Sequence, residues 1–364
     1  MEVNMAQLFG NELRKKDILK RIGRLSQIGG IRLFEFTDGP ARGTRAADIK
    51  TGSGLDFTVL LDRGMDIGSA FFSGCPLCWT SPVGVVSAKF FHPKDKMWLN
   101  TFGGGLLTTC GLLNVGNANI DQGDELSLHG AITSVPAEEV KVGHCWNSDD
   151  MEISIEGSMR EASVFGSNLV LNRLIWTRLG EKKIFIEDTL VNEGHEKSPL
   201  MILYHINIGW PILDEETLLI LPSRKMKPRD EEAEKGAADF DQFHAPEKNY
   251  MEKVYFHSMA PDSMGNINIG IVNPGLHSGC SGLYIKYPYQ ELPHFTQWKM
   301  LGQGAYVLGI EPGNCTVLGR AREREEGRLQ FIDPGEKKTF HLEIGVLTTP
   351  EELDQISEQV NGVK

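Results

Sequence analysis

The chain has 364 residues, 40% apolar and 24% charged, enough to bury a large core in one or two units. With 49 acidic against 37 basic side chains the formal net charge is −12, which argues against nucleic-acid binding and against docking on anionic membranes. No run of about 18 apolar residues is present to span a bilayer, and the opening MEVNMAQLFGNELRKKD lacks the apolar stretch of a secretory signal.

In chain order, residues 1–26 read as a helical segment, because apolar positions from Met5 to about Ser26 fit a helix with a Lys- and Arg-rich outer face. From 27 to 348 alternation takes over. Leu55, Phe57, Val59 and Leu61 interleave with Asp56 and Thr58; Met151, Ile153 and Ile155 interleave with Glu152 and Ser154. Phe340, Leu342, Ile344 and Val346 repeat the pattern, and a period of two means half-buried strands. Turn clusters punctuate them: Thr37-Asp38-Gly39-Pro40, Asn192-Glu193-Gly194, Asp333-Pro334-Gly335. The acidic stretch from Pro228 to Lys248 reads as a long surface loop, and the mixed charges from Arg320 to Gly327 as a solvated hairpin. Residues 349–364 read as a C-terminal helix: Thr349-Pro350-Glu351-Glu352 has the form of a capping box, followed by a stripe of Leu353, Ile356 and Val360. No composition break or linker divides 27–348. The pattern predicts a mainly β protein, one large antiparallel β-sandwich with short terminal helices.

Of six cysteines only Cys75 and Cys78 form a CxxC, set among strand-like residues with no second pair to complete a zinc site. They read as structural thiols of a protein in a reducing cytoplasm. Phe102-Gly103-Gly104-Gly105 and Gly302-Gln303-Gly304 lack the spacing of a phosphate cradle and fit bulges or close backbone approaches. No GxSxG supports a serine hydrolase.

Three segments carry ionisable residues where strand packing would prefer apolar ones: Leu128-His129-Gly130, the MILYHINIGWP around His205, and the YVLGIEPGN that holds Glu311 at the end of an apolar strand. Lost hydration raises a carboxyl's pKa towards the range useful for a base. Each has a plainer reading, a satisfied core histidine or a solvated turn glutamate. Two imidazoles and a carboxylate also suit a metal, but no HxH or HExxH spacing is present, so no metal is expected.

LDRGMDIG, FGGGLLTTCGLLNVG, LHGAITSVPAE, LYHINIGWP and YVLGIEPGN, in this order, resemble the DUF4432-type branch of aldose 1-epimerase-like proteins in the galactose-mutarotase superfamily, over about Gly23 to Val346. The resemblance implies a large β-sandwich whose concave face binds a sugar and, needing no cofactor, moves protons at C1. It implies Glu311 as base, His205 as acid, and His129 as donor to the ring oxygen or adjacent hydroxyls. The aromatic pair that follows the family's second histidine is absent after His205. Arg63 corresponds to a hydroxyl-holding arginine, although LDRGMDIG differs from the mutarotase pattern, and the family's pocket aspartate has no equivalent. Trp79 and Trp298 are candidates to cover the apolar side of a pyranose, or else core residues, and Lys299 is a candidate to engage an acidic sugar.

The leading expectation is a cofactor-independent epimerase acting at C1 of a hexose or modified sugar. The alternatives are isomerisation or epimerisation at another carbon, with or without a divalent metal, and a non-catalytic sugar-binding module. The partner expected is a small-molecule sugar, with no nucleic acid and no membrane. The N-terminal segment is expected to cover the sandwich or to meet a second subunit in a homo-oligomer.

Overall fold

The structure, a computed structural model, describes residues 5–276 and 279–363. Two antiparallel sheets carry the fold. The larger has twelve strands, and its main path runs Ser223–Pro228, Lys253–Met259, His294–Gly302, Ala305–Gly313, Ser198–Gly209, Leu107–Leu112, Asp66–Phe72, Leu55–Leu60, Arg45–Lys50, Gly30–Glu35. The smaller has eight, from Glu138–Asn147 at one edge through Asp150–Ala162, Asn168–Arg178, Lys183–Asn192, Lys337–Leu347, Gly282–Pro288 and Asn266–Val272 to Leu218–Ile220.

The main core lies between them, and period-two alternation builds it. Leu55, Phe57 and Val59 from one sheet meet Ile153, Ile155, Leu342 and Ile344 from the other, each nearly fully buried. At about 25 cal/mol per Å² of apolar surface, this burial is the main force joining the sheets. Among the described residues no helix is long and apolar enough to cross a membrane.

Three expectations need correction. The N-terminal segment is not one helix: Ala6–Leu8 pairs with Asn11–Leu13 as a hairpin, and a helix covers only Lys15–Leu19. Ala6 and Leu8 are both buried, which two residues of a strand achieve and a helix would prevent. The run from Arg320 is a helix, Arg320–Glu325, rather than a solvated hairpin. Its Arg320 is buried because Asp121 takes the guanidinium Nε at 2.7 Å, and Glu323 is buried against Arg328 at 2.8 Å. The Pro228–Lys248 stretch includes a short helix, Glu231–Glu234, and inserts Phe243 against the core. At the C-terminus Pro350–Asn361 is helical, with the Thr349 side chain and Glu352 forming a reciprocal capping box.

Candidate active site

The Ser198–Gly209 strand is buried on both faces. Ile202, Tyr204, Ile206 and Ile208 enter the core between the sheets. Met201, Leu203, His205 and Asn207 therefore point to the other face, where Met201 and Leu203 join a smaller cluster with Trp98, Phe102 and Cys110. Antiparallel register pairs Leu203 with Gly313 and Ile206 with Ile310, which sets His205 opposite Glu311. One strand further, Trp298 pairs with Gly309 and shares that face.

His205 Nε2 lies 3.3 Å from Glu311 Oε1, and both side chains are almost wholly buried. A Cβ at position 309 would come within 2.6 Å of Glu311 Oε1 and 2.9 Å of the Trp298 Cβ, so glycine there gives both side chains their room. His129 arrives from a turn rather than from a strand. Its φ is 56°, its N–H donates to the Gly116 carbonyl at 2.9 Å, and its carbonyl accepts from Gly111 N at 3.0 Å. A left-handed non-glycine residue held from both sides is a strained position, of the kind that gathers at functional sites. Gly116 N also donates to His129 Nδ1 at 3.4 Å, which leaves Nε2 to carry the ring proton.

The rings close a small cavity of about 160 Å³. His205 lies 5.8 Å from His129, 5.4 Å from Trp298 and 5.3 Å from Phe102, centroid to centroid, and Trp98 lies 4.8 Å from His129. Arg229 and Glu252 stand at the mouth. Arg229 donates to Glu252 at 3.0 Å, and the other oxygen of Glu252 accepts from the Trp298 indole N–H at 2.9 Å, which fixes the ring's orientation.

Burial sets the protonation states. It lowers the His129 pKa to about 4 and that of His205 to about 3, the neighbouring His129 adding to the second shift. Glu311 is pushed well above the usual carboxylate range by burial first, with Glu252 adding and Arg229 opposing. The resting cavity thus holds two neutral imidazoles, and burial favours the protonated form of the carboxyl beside them. It is also rich in unmet hydrogen bonds: Trp98 Nε1, His205 Nδ1 and Glu311 Oε1 are buried without a partner among the described residues. Such atoms are uncommon in folded proteins and suit a hydroxyl-rich ligand.

The structure brings His129, His205, Trp298 and Glu311 together and separates the rest of the expected set. Trp79 packs behind the cavity, its ring 6.2 Å from Trp298 and 5.9 Å from Phe102. Lys299 follows Trp298 on one strand and so points to the opposite face, where its ammonium donates to the carbonyls of Asp239, at 2.6 Å, and Gln242. Burial lowers its pKa to about 8, opposed by Asp239 and Asp241. Arg63 donates to the Thr101 carbonyl at 2.8 Å and borders a different cavity. Sequence reasoning missed Trp98, Phe102, Arg229 and Glu252. Phe102 stood in a glycine run, and Arg229 and Glu252 in and beside a polar stretch with no mark of a site.

Residues 41–346 match the family model described as a domain of unknown function, DUF4432. The chain belongs to that family. Among solved structures this DUF4432 protein is similar to a proposed aldose 1-epimerase from Klebsiella pneumoniae, with 25% identity, a TM-score of 0.86, and coverage of 92% of this chain and 87% of that one. Below 25% identity the likeness concerns the fold. A galactose mutarotase-like protein of Clostridium acetobutylicum superposes with a TM-score of 0.56 at 13% identity over 89% of this chain and all of that one. The galactose 1-epimerase of Lactobacillus acidophilus gives 0.52 at 12% identity, over 88% of this chain and 99% of that one. Comparison with curated proteins gives no match. The architecture is thus a galactose mutarotase-like β-sandwich.

Proposed function

We propose that this protein interconverts the anomers of a hexose or modified aldose without a cofactor, with Glu311 and His205 as the proton-transfer pair. The observation that carries the reading is the buried His205–Glu311 pair, 3.3 Å apart in a cavity with unmet hydrogen bonds. The likeness to the Klebsiella protein supports the reaction class.

Anomer exchange removes a proton from the C1 hydroxyl while delivering one to the ring oxygen. The ring opens, the aldehyde rotates, and closure reverses the two transfers. The pair must hold one proton in total. With the ring closed, a Glu311 carboxylate accepts from the hydroxyl and a protonated His205 donates to the ring oxygen. In the open-chain stage Glu311 carries the proton and His205 is neutral. That second distribution leaves neither group charged, and burial favours it, so the buried setting of the pair lowers the open-chain stage relative to the ion pair. Each positioned acid or base contributes ~10²–10⁴-fold. His129, with its proton on Nε2, donates to the ring oxygen or an adjacent hydroxyl. Trp298, held by Glu252, covers the apolar side of the ring. Arg63, Trp79 and Lys299 touch nothing in this scheme. All six cysteines are free, which suits a reducing cytoplasm.

NMR exchange spectroscopy on a panel of aldoses, uronic acids and deoxy sugars tests the proposal, with wild type and Glu311→Gln in parallel. Faster anomer exchange for one sugar, lost in the variant, is expected. Solvent deuterium appearing on a sugar carbon would move the chemistry away from C1. No acceleration and no deuteration would leave a sugar-binding module.

A further inference from the structure

Arg63 has no part in that chemistry, and its surroundings are unusual for an arginine. It is 5% exposed, and among the described residues no carboxylate lies within ion-pair distance of it. Nη2 donates to one backbone carbonyl, that of Thr101, and Nη1 is buried without a partner. A buried guanidinium is normally matched by an anion, and leaving it unmatched is costly.

The side chain borders a cavity of about 330 Å³, about twice the volume of the His205–Glu311 cavity. The space lies over the other half of the larger sheet, on the strands Leu55–Leu60 and Asp66–Phe72. Its walls are apolar: Phe34 and Phe36, with rings 5.2 Å apart, together with Leu60, Val85 and Val86. Hydroxyls of Thr58, Ser69, Thr108 and Thr133 are set among them. Asp66 is the acidic residue of the lining, but its carboxylate is already engaged, by the Thr109 and Thr133 hydroxyls at 2.7 Å and by Arg173 at 3.1 Å. The cavity therefore presents a buried guanidinium with one unpartnered nitrogen, touched by no carboxylate and only partly offset by Asp66 at longer range, together with scattered hydroxyls and an apolar body. A concave site of this size, mostly apolar with a few convergent polar groups, is the usual form of a small-molecule site.

We propose that this cavity is a second ligand site, which takes a small organic acid with its carboxylate on Arg63 and its apolar body against Phe34, Phe36 and Val85. One planar guanidinium matches one carboxylate in geometry and charge, whereas a phosphate dianion would need a second cation that the lining does not supply. The apolar walls disfavour a polyol body. The site is distinct from the sugar cavity: Thr101 and Phe102 form the partition, the Thr101 carbonyl on Arg63 and the Phe102 ring against His205.

Isothermal titration of the full chain with phenylacetate, with neutral phenylacetamide as control, tests the proposal in wild type, Arg63→Met, Val85→Phe and Glu311→Gln. Saturable binding of phenylacetate is expected, at least about tenfold tighter than that of the amide. Arg63→Met, which removes the charge, and Val85→Phe, which fills the cavity, should each weaken it by about tenfold or more, and Glu311→Gln should leave it unchanged. If Arg63→Met does not fold, Val85→Phe decides. The proposal is overturned by absence of binding to wild type, by equal binding to Val85→Phe, or by loss of binding in Glu311→Gln, which would move the anion into the sugar cavity.

Discussion

Glu311 makes a quantitative demand on stability. Its side chain is 3% exposed, and burial holds the carboxyl protonated well above its ordinary value of 4.5. In the unfolded chain the same group ionises near 4.5. Below that pH both states carry the proton and folding is indifferent to it. Above that pH folding must take one up, so wild type loses about 1.4 kcal/mol per pH unit until the folded carboxyl itself ionises. Glutamine has nearly the same shape and no proton to acquire. Glu311→Gln should therefore gain on wild type as the pH rises above 4.5, with a slope that approaches about 1.4 kcal/mol per pH unit until the folded carboxyl ionises. Any cost of placing the amide beside His205 is constant in pH and leaves the slope alone. Urea denaturation of both proteins from pH 4.5 to 8, compared at equal m-values, measures the difference. The same variant should lose ~10²–10⁴-fold in anomer exchange, the usual trade of function for stability. A stability difference that does not change with pH would mean that folded Glu311 titrates like an exposed carboxylate, and the neutral pair would be refuted.

His205→Gln should lower anomer exchange by ~10²–10⁴-fold while leaving the fold intact by circular dichroism. Because burial takes the His205 pKa to about 3, an NMR titration of the His205 ring should show no midpoint near the ordinary histidine value of 6.5; such a midpoint would contradict its buried, neutral state. His257 is 5% exposed, bonded to Ser223 and Gln297, and its pKa is lowered to about 4. The unfolded chain binds that proton first, so His257 costs nothing above pH 6.5 and destabilises the fold progressively as the pH falls to about 4. In His257→Gln the acid-side slope of stability should be shallower by about 1.4 kcal/mol per pH unit. Lys299→Met removes two hydrogen bonds to the 239–242 segment and should cost about 1–3 kcal/mol in denaturation, with KM for the sugar unchanged. A raised KM would return Lys299 to the sugar cavity.

Local pattern was enough for much of the fold. The alternation at Leu55–Leu61, Met151–Ile155 and Phe340–Val346 specifies strands because side-chain direction along extended backbone depends on neighbours two residues away. The C-terminal capping box is equally local. The N-terminal hairpin was not legible, because Ala6 and Leu8 are strand-like only once there is a core to cover them. Ionisable residues in apolar company marked His129, His205 and Glu311 from the chain itself, since desolvation of a titratable group is visible in its neighbours. Which groups meet is a matter of register between strands distant in the chain. One ladder sets His205 across from Glu311, and the next puts Trp298 on their face, which turns Lys299 to the other side. Arg63 shows the same limit, because nothing in LDRGMDIG tells which side of Phe102 its guanidinium reaches. Composition and periodicity thus determined the strands and the unusual residues. Only the tertiary structure decided their company, because a one-residue shift in pairing would have sent each of them to the opposite face.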